Sequence, residues 1–127
     1  MDANLVLWIG QGLLALAFLA VGYGHAFDFE RGAARPRMGW MAAVGRDNMR
    51  IIGILEILGA IGVIVPAATG ILPWLTPVAA VALAVLMLFA AVLHTRRSGE
   101  VPNIVGNVVL GAIAALVAYG RFAVAPF

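Results

Sequence analysis

Glu56 stands in the middle of GILEILGAIG, residues 53–62, a run that is otherwise apolar or glycine. A carboxylate in such a setting can exchange a proton, hold the polar end of a ligand, or bond to a neighbouring helix. Five other side chains have chemistry that can join it. His25 and His94 exchange protons near neutral pH, and Asn103, Asn107 and Tyr23 form hydrogen bonds. There is no cysteine, which removes disulfides, thiolate metal ligation and thiol relays. A metal held by Glu56 and the two histidines has no further ligand to specify it. Two histidines on facing helices raise axial haem ligation, but both stand near the ends of their apolar segments and nothing else marks a porphyrin pocket. No catalytic residue, metal ligand or obligatory cofactor is assigned. A quinone or another lipophilic small molecule is compatible with these groups.

The elements that must position them are set by composition. Of 127 residues, 64% are hydrophobic and 11% charged, and mean hydropathy is +1.05. Soluble domains carry about a quarter charged residues, so the chain is suited to a bilayer. All eight cationic side chains are arginines, and a net charge of +2 from loop arginines gives no support to nucleic-acid binding.

Four segments, approximately 4–27, 49–68, 77–94 and 102–122, are long and apolar enough to span. The first does not read as a signal peptide. Its start carries Asp2 and no arginine, and its apolar stretch exceeds the ~7–15 residues of a signal core. The expected fold is an all-α, integral membrane four-helix bundle, a single transmembrane domain over residues 1–127.

The arginines give this bundle a direction. Arg31, Arg35, Arg37 and Arg46 fall in the loop 28–48, Arg50 follows it, and Arg96 and Arg97 fall in the third connection. Only Arg121 lies on the other side, so the positive-inside rule puts loops one and three in the cytoplasm and both termini outside. Trp40 is expected at the inner headgroup level, in a short interfacial turn or helix over 38–44, with Trp8 and Trp74 at the outer boundary. Asp28 and Glu30 are placed to pair with Arg31 or Arg35.

Helical spacing then assigns faces. Glu56 shares one with Gly53, Gly59 and Ala60. Asn103, Asn107, Gly111, Ala114 or Ala115, and Ala118 form a stripe on the fourth segment. Ala80, Ala84, Met87, Ala91 and His94 do so on the third, and Gln11, Ala15, Phe18, Gly22 and His25 on the first. Small residues permit close approach, so these seams should turn inward. At roughly 1.5 Å per residue, Glu56 lies about 10 Å from the cytoplasmic end of its helix. Asn107, His25, His94 and Tyr23 approach the same level, with Gln11 in a different layer. A cytoplasm-side cluster of Glu56, His25, His94, Asn107, Asn103 and Tyr23 is therefore expected.

Two readings of that cluster stand side by side. A carboxylate in hydrocarbon with no cation beside it can stay protonated and donate to Asn107 or a histidine, as glue worth about 1–2 kcal/mol in model peptides. Alternatively the cluster receives a ligand, with Phe18, Leu86 and Met87 lining its apolar part.

The segment GILEILGAIGVIVPAATGILPWLTPVAAVALAVLMLFAAVLH, residues 53–94, resembles the core of the DoxX-like membrane proteins. PRMGW before it and PNIVGNVVLGAIAALVAYGRF after it extend the resemblance over almost the whole chain. The resemblance implies a small four-helix, multi-pass protein of the bacterial inner membrane. It implies a carboxylate in the second helix, matched by Glu56, a histidine ending the third, matched by His94, and asparagines on the fourth, matched by Asn103 and Asn107. Family members commonly place a lysine where this chain has His25, which makes the local charge pH-dependent. Relatives are linked to thiosulfate:quinone oxidoreductase and membrane oxidoreductase complexes, and a distant animal relative to receptor assembly. The family does not settle function, but short extramembrane loops, the absence of cysteine and the lack of a recognisable cofactor motif point to an accessory or assembly subunit of a membrane complex, a redox complex among the options, that is not catalytic by itself. The alternatives are a quinone or lipophilic-molecule binder and, third, a proton-coupled transporter. The bilayer is the first expected partner, followed by a membrane protein or a second copy of the chain.

Overall fold

In the computed structural model, residues 2–35, 38–97 and 100–127 are described, and all regular structure among them is helical. The order is α1 (Ala3–Phe27), α2 (Phe29–Ala33), α3 (Trp40–Val44), α4 (Arg46–Thr69), α5 (Leu75–Thr95) and α6 (Val101–Tyr119), which ends in a π-helical turn over Gly120–Val124. Arg37, counted above among the loop arginines, lies outside the described residues.

Local chemistry accounts for the helix ends. Asp2 Oδ1 accepts the Leu5 N–H at 2.8 Å and caps α1. Gly70 ends α4 in the left-handed region, φ +73°, where its N–H bonds back to Pro66. Pro102 occupies the first turn of α6, where a missing N–H costs nothing. The second long helix starts at Arg46, earlier than the apolar pattern places it, because Arg46, Asp47 and Asn48 continue the turn into the loop.

The four long helices form a ring in which α1 packs on α4, α4 on α5, α5 on α6, and α6 on α1. Leu14, Phe18, Val63, Leu83 and Val117 are the centre of its core. The closest crossing joins α1 to α4. A Cβ on Gly53 would stand 2.5 Å from both Ala26 N and Gly22 O, so the two backbones touch there. The α1–α6 contact is tight at the other end of the bundle, where Gly10 faces Val117 and Gly120 faces Leu7.

The ring is apolar outside and carries its polar groups within. Leu16, Leu88, Phe89, Leu116 and Phe122 are exposed, whereas Gln11, Glu56, Thr76, His94, Glu100 and Arg121 are buried. Water would not select that distribution, but hydrocarbon does. The helices Ala3–Phe27, Arg46–Thr69, Leu75–Thr95 and Val101–Val124 are each long and apolar enough to cross a membrane. This is a membrane protein with four candidate spans.

The connection between α1 and α4 is more structured than its polar composition indicates. Trp40 is not a headgroup anchor. It is 9% exposed and, with Met41, turns inward onto Met49 of α4 to close one end of the bundle. Glu30 pairs with Arg46 at 2.5 Å, not with Arg31 or Arg35, while Asp28 does meet Arg31 at 3.8 Å.

Candidate functional site

The Gly22–Gly53 crossing sets up the first polar pair. With no side chains to separate them, α1 and α4 bring His25 Nδ1 to 2.6 Å from Glu56 Oε1. Glu56 is 1% exposed and fully surrounded by protein. The carboxylate therefore does not lack a polar partner, as its apolar context suggested. An ionised carboxylate only accepts, so Nδ1 carries the hydrogen in that state, and Nε2 is left for another partner.

A second imidazole–carboxylate pair stands nearby. His94, at the end of α5, has Nδ1 2.5 Å from Glu100 Oε1, and Arg97 Nε donates to Glu100 Oε2 at 2.6 Å. Glu100 lies just before α6. Burial pushes its carboxyl up, but hydrogen bonds from Arg97 and His94, with the charges of both, outweigh this and hold it below the usual carboxylate range. Trp40 touches both histidines edge-on, with ring centroids 5.5 Å from His25 and 4.8 Å from His94. The two pairs thus share one aromatic wall.

That wall bounds a cavity of about 370 Å³. His25, Glu56, His94, Asn103 and Asn107 line it, and Phe18, Leu86 and Met87 supply apolar surface. Two of the residues that line it carry donors that are buried and, among the described residues, without a partner, Trp40 Nε1 and Asn107 Nδ2. Tyr23 is not part of this group. It is 60% exposed on the outer face of α1, with its ring 5.6 Å from that of Phe27.

Gln11 belongs to a separate polar layer at the far end of the bundle. It is fully buried, donates from Nε2 to Val63 O at 2.7 Å, and accepts from Arg121 Nε at 2.7 Å. Arg121, only 2% exposed, also donates to Asn4 Oδ1 and Ala125 O and lies over the Phe127 ring. These bonds tie the two ends of the chain together, so Arg121 is more than a charge marking one side of the membrane.

Sequence reasoning missed three members of these sites. Glu100 reads as a loop charge in TRRSGE, and only its spacing to Arg97, three residues, hints at pairing. Trp40 was assigned to the interface, and Arg121 was not joined to Gln11 because 110 residues separate them. Among the described residues no group of three His, Asp or Glu converges as a metal site.

The model of the DoxX-like family matches residues 9–117, which takes in most of all four spans. The chain belongs to the DoxX-like family. No curated protein and no solved structure gives a match. In this DoxX-like protein, the cavity, both imidazole–carboxylate pairs and both unpaired donors fall within the matched segment.

Proposed function

We propose that this DoxX-like protein binds a lipid-soluble small molecule of the quinone class in the cavity beneath Trp40. The observation that carries the reading is a pair of buried donors without a partner among the described residues, Trp40 Nε1 and Asn107 Nδ2, on two residues that line a cavity of about 370 Å³. Leaving a buried donor unpaired costs about 1–3 kcal/mol, so such groups belong where an acceptor arrives from outside the fold. The volume lies within the roughly 300–1,000 Å³ of small-molecule pockets. Carbonyl oxygens on a flat, apolar ring would accept from both donors, with Phe18, Leu86 and Met87 against the ring. His25 and His94, each held by a carboxylate, would offer ring N–H groups as hydrogen-bond donors to the bound oxygen.

This reading moves the weight from an accessory subunit toward a binding protein. A role beside a redox partner would then consist of holding or presenting the ligand, with no catalytic residue in this chain. The arginine distribution supports a cytoplasm-side cavity with both termini extracytoplasmic, and the DoxX-like family supports residence in a bacterial inner membrane.

The test uses Trp40 as its own reporter. The Trp8→Phe/Trp74→Phe variant keeps it as the single tryptophan. A chain-free benzoquinone should quench its fluorescence saturably. Asn107→Leu should weaken the apparent affinity by about tenfold, the equivalent of one lost hydrogen bond. Quenching that stays linear with quinone concentration, and is equal in both proteins, would sink the proposal.

A further inference from the structure

A second pocket, of about 270 Å³, lies against α1 beside the first and is lined by Gly24, Gly32, Arg35 and Met41, among others. The two share Val21, His25 and Met38. Those three side chains are therefore a common wall, with the unpaired donors on one side and the outer pocket on the other.

The packing of α1 against α6 explains why the wall lies there. Near Gln11 the two helices are clamped by Arg121 and by the Gly10–Val117 and Gly120–Leu7 contacts. Toward the other end they become opposite walls of the cavity, with Val21 and His25 on α1 and Asn103, Gly106 and Asn107 on α6. A Cβ on Gly106 or Gly24 would meet nothing within 4 Å, so both flanks of this gap are open. Val21 and Gly106 are themselves exposed on the membrane-facing surface. On the α4–α5 side, Trp40, Met41 and Met49 pack with Val44, Ile52 and Leu93.

We infer that the ligand carries one hydrocarbon chain, which leaves the cavity between α1 and α6 over Val21 and lies in the outer pocket. This rests on the proposed binding of a ring-headed molecule and adds where its chain goes. The outer pocket is smaller than the roughly 300 Å³ at which small-molecule sites begin, which suits a chain and not a second head. Val21, Met38 and Met41 give the chain an apolar bed, and the flexible methionines can adjust to it. Gly106 and Gly24 are then positions that select for the chain.

The experiment compares two probes in the single-tryptophan background, a benzoquinone bearing a decyl chain and the same ring without it, at equal micellar mole fraction. Gly24→Leu and the bulkier Gly24→Phe fill the outer pocket, which Gly24 lines, and leave the lining of the first cavity unchanged. In the parent, both probes should quench Trp40. In the Gly24 variants, the decyl probe should lose about tenfold or more in affinity through steric overpacking, while the ring-only probe stays within about twofold. An undiminished decyl probe overturns the inference, and so does a parallel loss of both probes. If the ring-only probe fails to bind the parent, the binding reading falls and takes this inference with it.

Discussion

Substituting alanine for Gly53 tests the geometry on which the Glu56 site depends. The new Cβ would stand 2.5 Å from Ala26 N and from Gly22 O, both backbone atoms that cannot rotate away. Ordinary contact requires about 3.4 Å or more, so α1 and α4 must separate by roughly 0.9 Å at the crossing. If His25 and Glu56 move with their helices, their 2.6 Å contact opens to about 3.5 Å, past hydrogen-bonding range. Overpacking costs about 1–3 kcal/mol and a charge-assisted bond about 1.5–3, against a helix-propensity gain of about 1. The net expectation is a loss of roughly 1.5–5 kcal/mol, read from reversible unfolding in mixed micelles. Gly106→Ala is the control. Its Cβ meets nothing within 4 Å, so it should be neutral or more stable by up to about 1 kcal/mol. A double-mutant cycle between His25 and Glu56 in the Gly53→Ala background should show their coupling largely gone. If Gly53→Ala is within about 0.5 kcal/mol of wild type and that coupling persists, the backbone-contact account of the site is wrong.

Three further outcomes are expected. Glu100, held below the usual carboxylate range, contributes stability that is present above its unfolded value of about 4.3 and is lost as pH falls through the folded one. Thermal midpoints should therefore decline below about pH 4, and Glu100→Gln should lower the midpoint at neutral pH while flattening the acid limb. Arg121→Met orphans the buried Gln11 side-chain oxygen, so a loss of about 1–3 kcal/mol is expected, while Asn4 is exposed and adds little. A cycle with Gln11→Leu should be clearly non-additive, and additivity would remove the clamp between the chain's two ends. Finally, lipid extracts of the purified protein, compared by mass spectrometry with those of Glu56→Gln, should show the wild type enriched in a lipid-soluble quinone. Equal content in the two would count against Glu56 as part of the ligand's surroundings.

Much of the site was legible because hydrocarbon restricts the solutions available. A polar side chain in a spanning helix must face protein, so the seams of small and polar residues identify which way His25, Glu56, His94 and Asn107 turn. Depth along each helix places them in one layer and Gln11 in another, and the structure shows that separation. Tyr23 failed this reasoning because depth alone says nothing of rotation. Two residues before His25, it points to the opposite side of α1, where it is exposed. Glu100 and Trp40 were illegible for a different reason. They lie in connections, where no helical period assigns a face, and only the fold of the connection brings them under the bundle.

By itself the sequence determined four apolar spans, the inward seams and a carboxylate that had to meet protein. These follow from one-dimensional spacing combined with the demand of a bilayer that every buried polar group find company. Tertiary structure decided which company. The Gly22–Gly53 contact paired Glu56 with His25, Glu100 met His94, and Trp40 became the wall between the pairs. It also left Trp40 Nε1 and Asn107 Nδ2 without a partner among the described residues, on two residues that line a cavity. Such choices depend on crossing angles and loop paths, which set distances of a few ångströms that residue spacing does not encode.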